Sequence, residues 1–291
     1  MRISGIVLLL TSIAAGQTLP GALRSRIRDF QGTVSLYAKN LDTGSIVEIR
    51  GTEPVRTAST IKLPILCAVF DQVAQGKAKW TEPLTITAEE QVPGSGVIGS
   101  EFSAGVRLPL QDVAHLMMVL SDNTATNLIL ERFTADTVNA YLDRIGLPKT
   151  RSLRKILKGD GPPRGESAAG RSPENQRYGL GVSSPRDMVT ILERLEKGEI
   201  VSPEASREIL AVMKRCQDNT GIRRKMADTV VANKTGALDA LRSDVGIVYA
   251  KGGRIAMAIT VDGMPKPDWS PDNPGSLLIA DLARMLADEL R

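Results

Sequence analysis

With 291 residues, 42% of them hydrophobic and 24% charged, the chain has the composition of a globular protein that buries one large core or two interleaved ones. Net charge is +4, aromatics are only 3%, and no Lys/Arg block is interleaved with them, which argues against a nucleic-acid surface. The basic excess fits solubility, with some attraction to acidic envelope polymers. One histidine, His115, and two cysteines, Cys67 and Cys216, leave no conventionally spaced metal-ligand set.

Met1 to Gly16 reads as a secretory signal: Arg2 gives a positive start, an apolar run begins at Ile6, and Ala14-Ala15-Gly16 is a small-residue cleavage site. The run is too short to span a membrane, so no membrane attachment is expected once it is cleaved. Export would remove nucleotide cofactors from consideration, and none is expected. It would also permit a Cys67–Cys216 disulfide, although two buried free thiols fit the sequence equally well.

Ala22, Leu23, Ile27 and Phe30 recur at helical spacing. Thr33 to Ala38 alternates as a strand, Asp42-Thr43-Gly44 is a hairpin turn, and Ser45 to Ile49 returns. A helix is predicted from about Ser59 to Gln75, and Pro64 requires that it start at or just after Ser59. Residues 93–109 read as a loop. Helices are expected over Leu110–Leu120, Thr124–Phe133 and Thr137–Ile145. Residues 146–184 form a Gly/Pro-rich loop, long enough to suggest function or mobility. Helices return at Pro185–Lys197 and Pro203–Cys216. Strands follow at Thr229–Lys234, Asp244–Ala250 and Arg254–Val261, and Leu277 to Leu290 closes as an amphipathic helix.

Strands at both ends with helices between them suggest an α/β (α+β) fold: an antiparallel sheet flanked by helices, plus an all-helical domain, with a site in the cleft. Residues 17–56 and 219–291 would form the sheet domain, and 57–218 the helical one.

Chemistry concentrates first at Ser59-Thr60-Ile61-Lys62. Residues three apart on a helix share a face, so Lys62 can serve as base to the Ser59 hydroxyl if its pKa is lowered. Alone, the pair fits an N-capping serine and a solvated lysine as well. His115, in an apolar helical run, reads as a core or groove histidine rather than a triad member. Two further motifs follow in order, Ser121-Asp122-Asn123 and Lys234-Thr235-Gly236. Ser-x-x-Lys, Ser-Asp-Asn and Lys-Thr-Gly together are the signature of class A β-lactamases and penicillin-binding proteins.

The sequence therefore resembles the class A serine β-lactamase family, among the penicillin-recognising serine hydrolases, over essentially the whole mature chain. Ser183 to Met188, Asp218 to Gly221 and Arg242 to Asp244 carry the likeness beyond the motifs. The resemblance implies Ser59 as the acylated nucleophile, Lys62 as base or relay, and Ser121 as proton shuttle to the leaving nitrogen. It implies that Asn123 bonds Lys62 and the substrate amide, and that Lys234, Thr235 and Arg242 hold the substrate carboxylate. Ala237, after Gly236, would share the oxyanion hole with the Ser59 N–H.

One position departs from the pattern. Gly146 to Arg151 and Arg154 match the approach to the family's deacylating glutamate, but Ile156 stands where that glutamate is expected. Glu166 and Glu174, further along the loop, are the remaining candidates for the deacylation base. The expectation is a monomeric, exported serine hydrolase opening β-lactams through a Ser59 acyl-enzyme. The alternatives are a D-alanyl-D-alanine peptidase or esterase acting on peptidoglycan-like material, and a sensor that is acylated by β-lactams and stops.

Overall fold

The computed structural model describes residues 21–291. The signal-like segment Met1 to Gly16 lies outside them. In chain order, α1 (Gly21–Arg28) leads into β1 (Thr33–Asn40), β2 (Ile46–Ile49) and the short β3 (Val55–Arg56). A 3-10 turn, Ala58–Ile61, runs into α2 (Lys62–Ala74), followed by β4 (Pro83–Thr85), α3 (Ile98–Glu101) and β5 (Arg107–Pro109). Next come α4 (Leu110–Val119), α5 (Asn123–Phe133), α6 (Ala135–Arg144), β6 (Arg151–Ser152) and, after a long connection, β7 (Gly181–Ser183). Helices α7 (Pro185–Glu196) and α8 (Pro203–Lys214), strands β8 (Val230–Leu238), β9 (Leu241–Ala250) and β10 (Gly253–Asp262), and helix α9 (Pro274–Glu289) complete the chain.

The main sheet is antiparallel throughout, in the order β2-β1-β10-β9-β8. The two ends of the chain meet in it, since β1 pairs with β10 from Thr33 opposite Asp262 to Asn40 opposite Ile255. The period of two sorts β10 between two cores. Ile255, Met257 and Ile259 pack with Leu23 of α1 and with Leu278, Leu282 and Leu286 of α9. Ala256 and Ala258 face the other way, into the core built by α2 and α4 through α8. Small side chains there let α7 lie close against β1 and β10. The fold is thus a mixed α/β one, with an antiparallel sheet covered on both faces by helices.

Local chemistry explains the element ends. Ser184, Ser202 and Asn273 each cap a helix through their side-chain oxygen, and each is followed by proline in the first helical turn. Pro64 is the third residue of α2, inside the first turn, where its missing N–H costs nothing. The sequence reading differs from the structure at the start of α2 and in both stretches read as loop, residues 146–184 holding the short, paired β6 and β7. Ser59 sits in the 3-10 turn rather than in α2 itself. Residues 93–109 are not all loop, for they hold α3 and β5, and β5 pairs with β4. Such two- and three-residue strands carry too little periodicity to be read locally.

Candidate active site

The Ser59 turn lies under the free edge of the main sheet. Gly236 of β8 makes this approach possible, because a Cβ there would fall 2.8 Å from the Thr57 carbonyl oxygen and 3.0 Å from the Ser59 nitrogen. Gly181 of β7 does the same on the other side, where a Cβ would fall 2.7 Å from Ile61. Ala58, just before the serine, has φ +46°, and Ser121 has φ +55°. Both are non-glycine residues in the left-handed region, a conformation that costs about 1–3 kcal/mol and gathers at functional sites.

Lys62 opens α2 with its side chain fully buried. Its Nζ donates to the Ser121 carbonyl oxygen at 2.7 Å and to Asn123 Oδ1 at 3.0 Å, and lies 3.3 Å from the Ser121 hydroxyl. Burial, then the Lys234 ammonium, push its pKa well below the ordinary lysine value, against a smaller opposing pull from Asp122. Lys234 is buried too, its pKa lowered by burial against the opposing influence of Cys216, Asp218 and Asp244, and its Nζ donates to the Thr235 carbonyl oxygen at 2.7 Å.

Asp122, between the two motif residues that reach the cleft, is fully buried and structural. One carboxylate oxygen caps α5 through the Ala125 N–H, and the other accepts the N–H groups of Val97 and Ile98 at 2.7 and 2.8 Å. The 93–97 segment is thereby held over Asn123, whose Nδ2 donates to the Pro93 carbonyl oxygen.

These elements enclose a cleft of about 370 Å³ that brings together Ser59, Ser121, Asn123, Thr235, Gly236 and Ala237, with Lys62 and Lys234 buried behind it. Arg242 stands one step away. It lines an adjoining hollow, and its guanidinium donates to the backbone carbonyls of Leu238, Leu241 and Asp268 while lying over the Trp269 ring. Part of the Arg242 guanidinium, expected to help hold a substrate carboxylate, is thus engaged within the protein. His115 is elsewhere, accepting a hydrogen bond from Arg215 in a separate hollow beside Phe70 and Trp80. Cys67 and Cys216 are both buried and free, so the thiol alternative holds.

Neither loop glutamate reaches the cleft. Glu174 is exposed and lines a separate hollow with Lys149 and Arg177, and Glu166 is half-buried outside the cleft lining. Ile156 lines the cleft with Ser59 at the position where the glutamate is expected. Its backbone is held in both directions by the Asn127 side chain: the Ile156 N–H donates to Oδ1 at 2.8 Å, and Nδ2 donates to the Ile156 carbonyl oxygen at 3.0 Å. Lys155 beside it is buried and paired with Glu90 and Glu131. Leu180 completes an apolar wall, and among the described residues the one carboxylate on the cleft surface is Asp218. Sequence reasoning assigned no role to Asn127, Leu180 or Asp218, because Leu180 and Asp218 reach the cleft, and Asn127 reaches the Ile156 backbone, through long-range packing rather than local spacing.

Similarity to known proteins extends over most of the chain. The model of the β-lactamase enzyme family matches residues 19–290. The β-lactamase regulatory protein BlaB of Streptomyces cacaoi is 25% identical, with 94% of this chain and 98% of that protein aligned. A solved β-lactamase from Sphaerobacter thermophilus superposes with a TM-score of 0.78 at 26% identity, covering 92% of this chain and 95% of its own. PBP-A superposes with a TM-score of 0.77 at 29% identity, covering 94% and 98%, and a leucine-to-glutamate mutant of it has been solved as an acyl-enzyme complex with penicillin G. From its three ordered motifs, the cleft that gathers them and these matches, the chain belongs to the class A serine β-lactamase family.

Proposed function

We propose that this protein is a serine hydrolase that opens β-lactams by acylating Ser59 and then releases the acyl group slowly. Lys62, its pKa lowered by burial and by Lys234, takes the proton from Ser59 Oγ. The oxygen attacks the lactam carbonyl, and the oxyanion forms beside the Ser59 and Ala237 N–H groups at the edge of β8. As the C–N bond breaks, the Ser121 hydroxyl passes a proton to the leaving nitrogen and is reprotonated from Lys62. The ester that remains needs an activated water. The observation that carries the slow second step is the Ile156 side chain on the cleft wall, where hydrolysis would call for a general base.

Export and a monomeric state, with a division into a sheet domain and a helical domain, belong to the same proposal and rest on the sequence alone. A second reading, an acylated sensor of β-lactams, draws support from the similarity to a β-lactamase regulatory protein and from the same apolar wall.

Intact-mass spectra taken over time after mixing with excess penicillin G test the proposal. An adduct that forms on the wild type, persists, and is absent from Ser59→Ala is expected. Rapid clearance with product accumulation would mean that a deacylation base exists and that slow release is wrong. No adduct would sink Ser59 acylation itself.

A further inference from the structure

Trp269 stands 64% exposed, and among the described residues no other large apolar side chain is as open. A single exposed apolar residue needs no explanation by itself. The position of this one sets it apart. It lines both the Ser59 cleft and the adjoining hollow, and among the described residues it is the one aromatic on the cleft surface. The other tryptophan, Trp80, packs edge-on against Phe70 in the separate hollow beside His115.

The backbone that carries the ring is held on both sides. The Asp268 carbonyl oxygen accepts the Arg242 guanidinium, and also the Asn273 side-chain amide at 2.8 Å. The Asp268 carboxylate accepts the Ser270 N–H at 2.8 Å, and Arg224 donates to the Pro271 carbonyl oxygen at 2.6 Å. Arg242 lies over the indole, its guanidinium carbon 4.9 Å from the ring centroid. This cation–π contact orients the ring and leaves the rest of it open.

Because Trp269 shares a wall with Ser59, what covers the open ring is whatever enters the cleft. The neighbours on that wall favour an apolar, planar group. Ala237 and Leu238 line the cleft with Trp269, and Ile156 and Leu180 add apolar surface. Gly94 and Ser95 line it with small side chains, which leave room for a ring. A second cation would meet the Arg242 charge already on the indole. An arene gains apolar burial together with ring–ring contact, and the contact alone is worth about three- to tenfold in affinity.

We infer that Trp269 is a specificity-determining residue that makes the cleft favour acyl donors carrying an aromatic ring, which packs against the indole. The inference rests on the Ser59 acylation reading and narrows its substrate class to aryl-bearing donors.

Two matched pairs of β-lactams test it. The first pair is penicillin G and its cyclohexylacetyl analogue, which differ in the ring on the acylamino side. The second is a 3-benzyl and a 3-cyclohexylmethyl cephem, both 7-acetamido, which differ on the opposite side of the lactam. Saturation keeps ring size and apolarity and removes the π face. Ser59 adduct formation is followed by intact mass, with rates at low concentration normalised to each lactam's reactivity with hydroxylamine. Comparing aromatic-to-saturated ratios within one protein cancels any general loss in a variant. A ratio of about three to ten is expected in the wild type for at least one pair, and that pair tells which side of the donor carries the ring. Trp269→Ala is expected to lower the ratio at least twofold, and Trp269→Phe to keep most of it. Ratios below two in every pair that labels the wild type overturn the inference without touching Ser59 acylation, and need no variant to fold. An unchanged ratio in Trp269→Ala also overturns it. Failure of all four lactams to label Ser59 overturns the acylation reading and this inference together.

Discussion

Lys62 can act as a base only in its neutral form, and burial together with a second lysine shifts its pKa in that direction. A base works above its pKa, so acylation should rise with pH along a limb whose midpoint lies well below the value of about 10.4 for free lysine. Removing the Lys234 charge relieves like-charge repulsion and raises the Lys62 pKa. In Lys234→Met the limb should move to higher pH, read from acylation rates across a pH series. If it stays in place, Lys62 is not the titrating base. Ile156 offers the complementary prediction. Asn127 already fixes the backbone at 156, so Ile156→Glu should present a carboxylate to the acyl ester from that position. General-base help is typically worth about a hundredfold or more, so adduct lifetime in Ile156→Glu should fall by about that factor. A lifetime unchanged within twofold would mean that the side chain at 156 does not face the ester.

At the scale of elements, the site depends on three close approaches. The Ser59 turn meets β8 at Gly236, it meets β7 at Gly181, and the 93–97 segment meets the start of α5 at Asp122. At Gly236 the obstructing atoms are backbone, which cannot rotate away. Gly236→Ala should therefore slow acylation by more than tenfold and cost about 1–3 kcal/mol of stability, as overpacking does. Both effects can be followed by adduct kinetics and urea unfolding, and a variant that acylates normally would show that the turn has room to shift. Asp122→Ala removes a helix cap, worth about 0.5–2 kcal/mol, and strands the N–H groups of Val97 and Ile98. A loss of about 3 kcal/mol in urea unfolding is expected. A loss under 1 kcal/mol would mean that the segment re-bonds elsewhere.

For the molecule as a whole, the sheet ties the first strand to the last, while the catalytic candidates come from the segments between them. No covalent staple is needed for this, as Cys67 and Cys216 are separately buried thiols. Burial pushes the Cys67 thiol pKa up to about 12, which keeps it unreactive at neutral pH. Thiol reagents should count no fast-reacting cysteine in the folded protein and two after unfolding, and reductant should leave the melting temperature unchanged. A drop in melting temperature on reduction would reveal a disulfide.

The sequence by itself carried the family, the order of the main elements and the residues of the three motifs, because each of these signals is local. A Ser-x-x-Lys spacing, a helix cap followed by proline, and an alternating strand are all decided by neighbours within a few positions. It also shows an isoleucine at position 156, where the family's deacylating glutamate is expected. Only the tertiary structure decided that Glu166 and Glu174 stay off the cleft wall, that Arg242 turns toward backbone carbonyls, and that Asp218 bonds Thr235 across 17 residues. The physical reason is the same in each case. Where a loop carboxylate or a guanidinium comes to rest depends on which hydrogen-bond partners the packed elements leave open to it, and those partners come from segments far away in the chain.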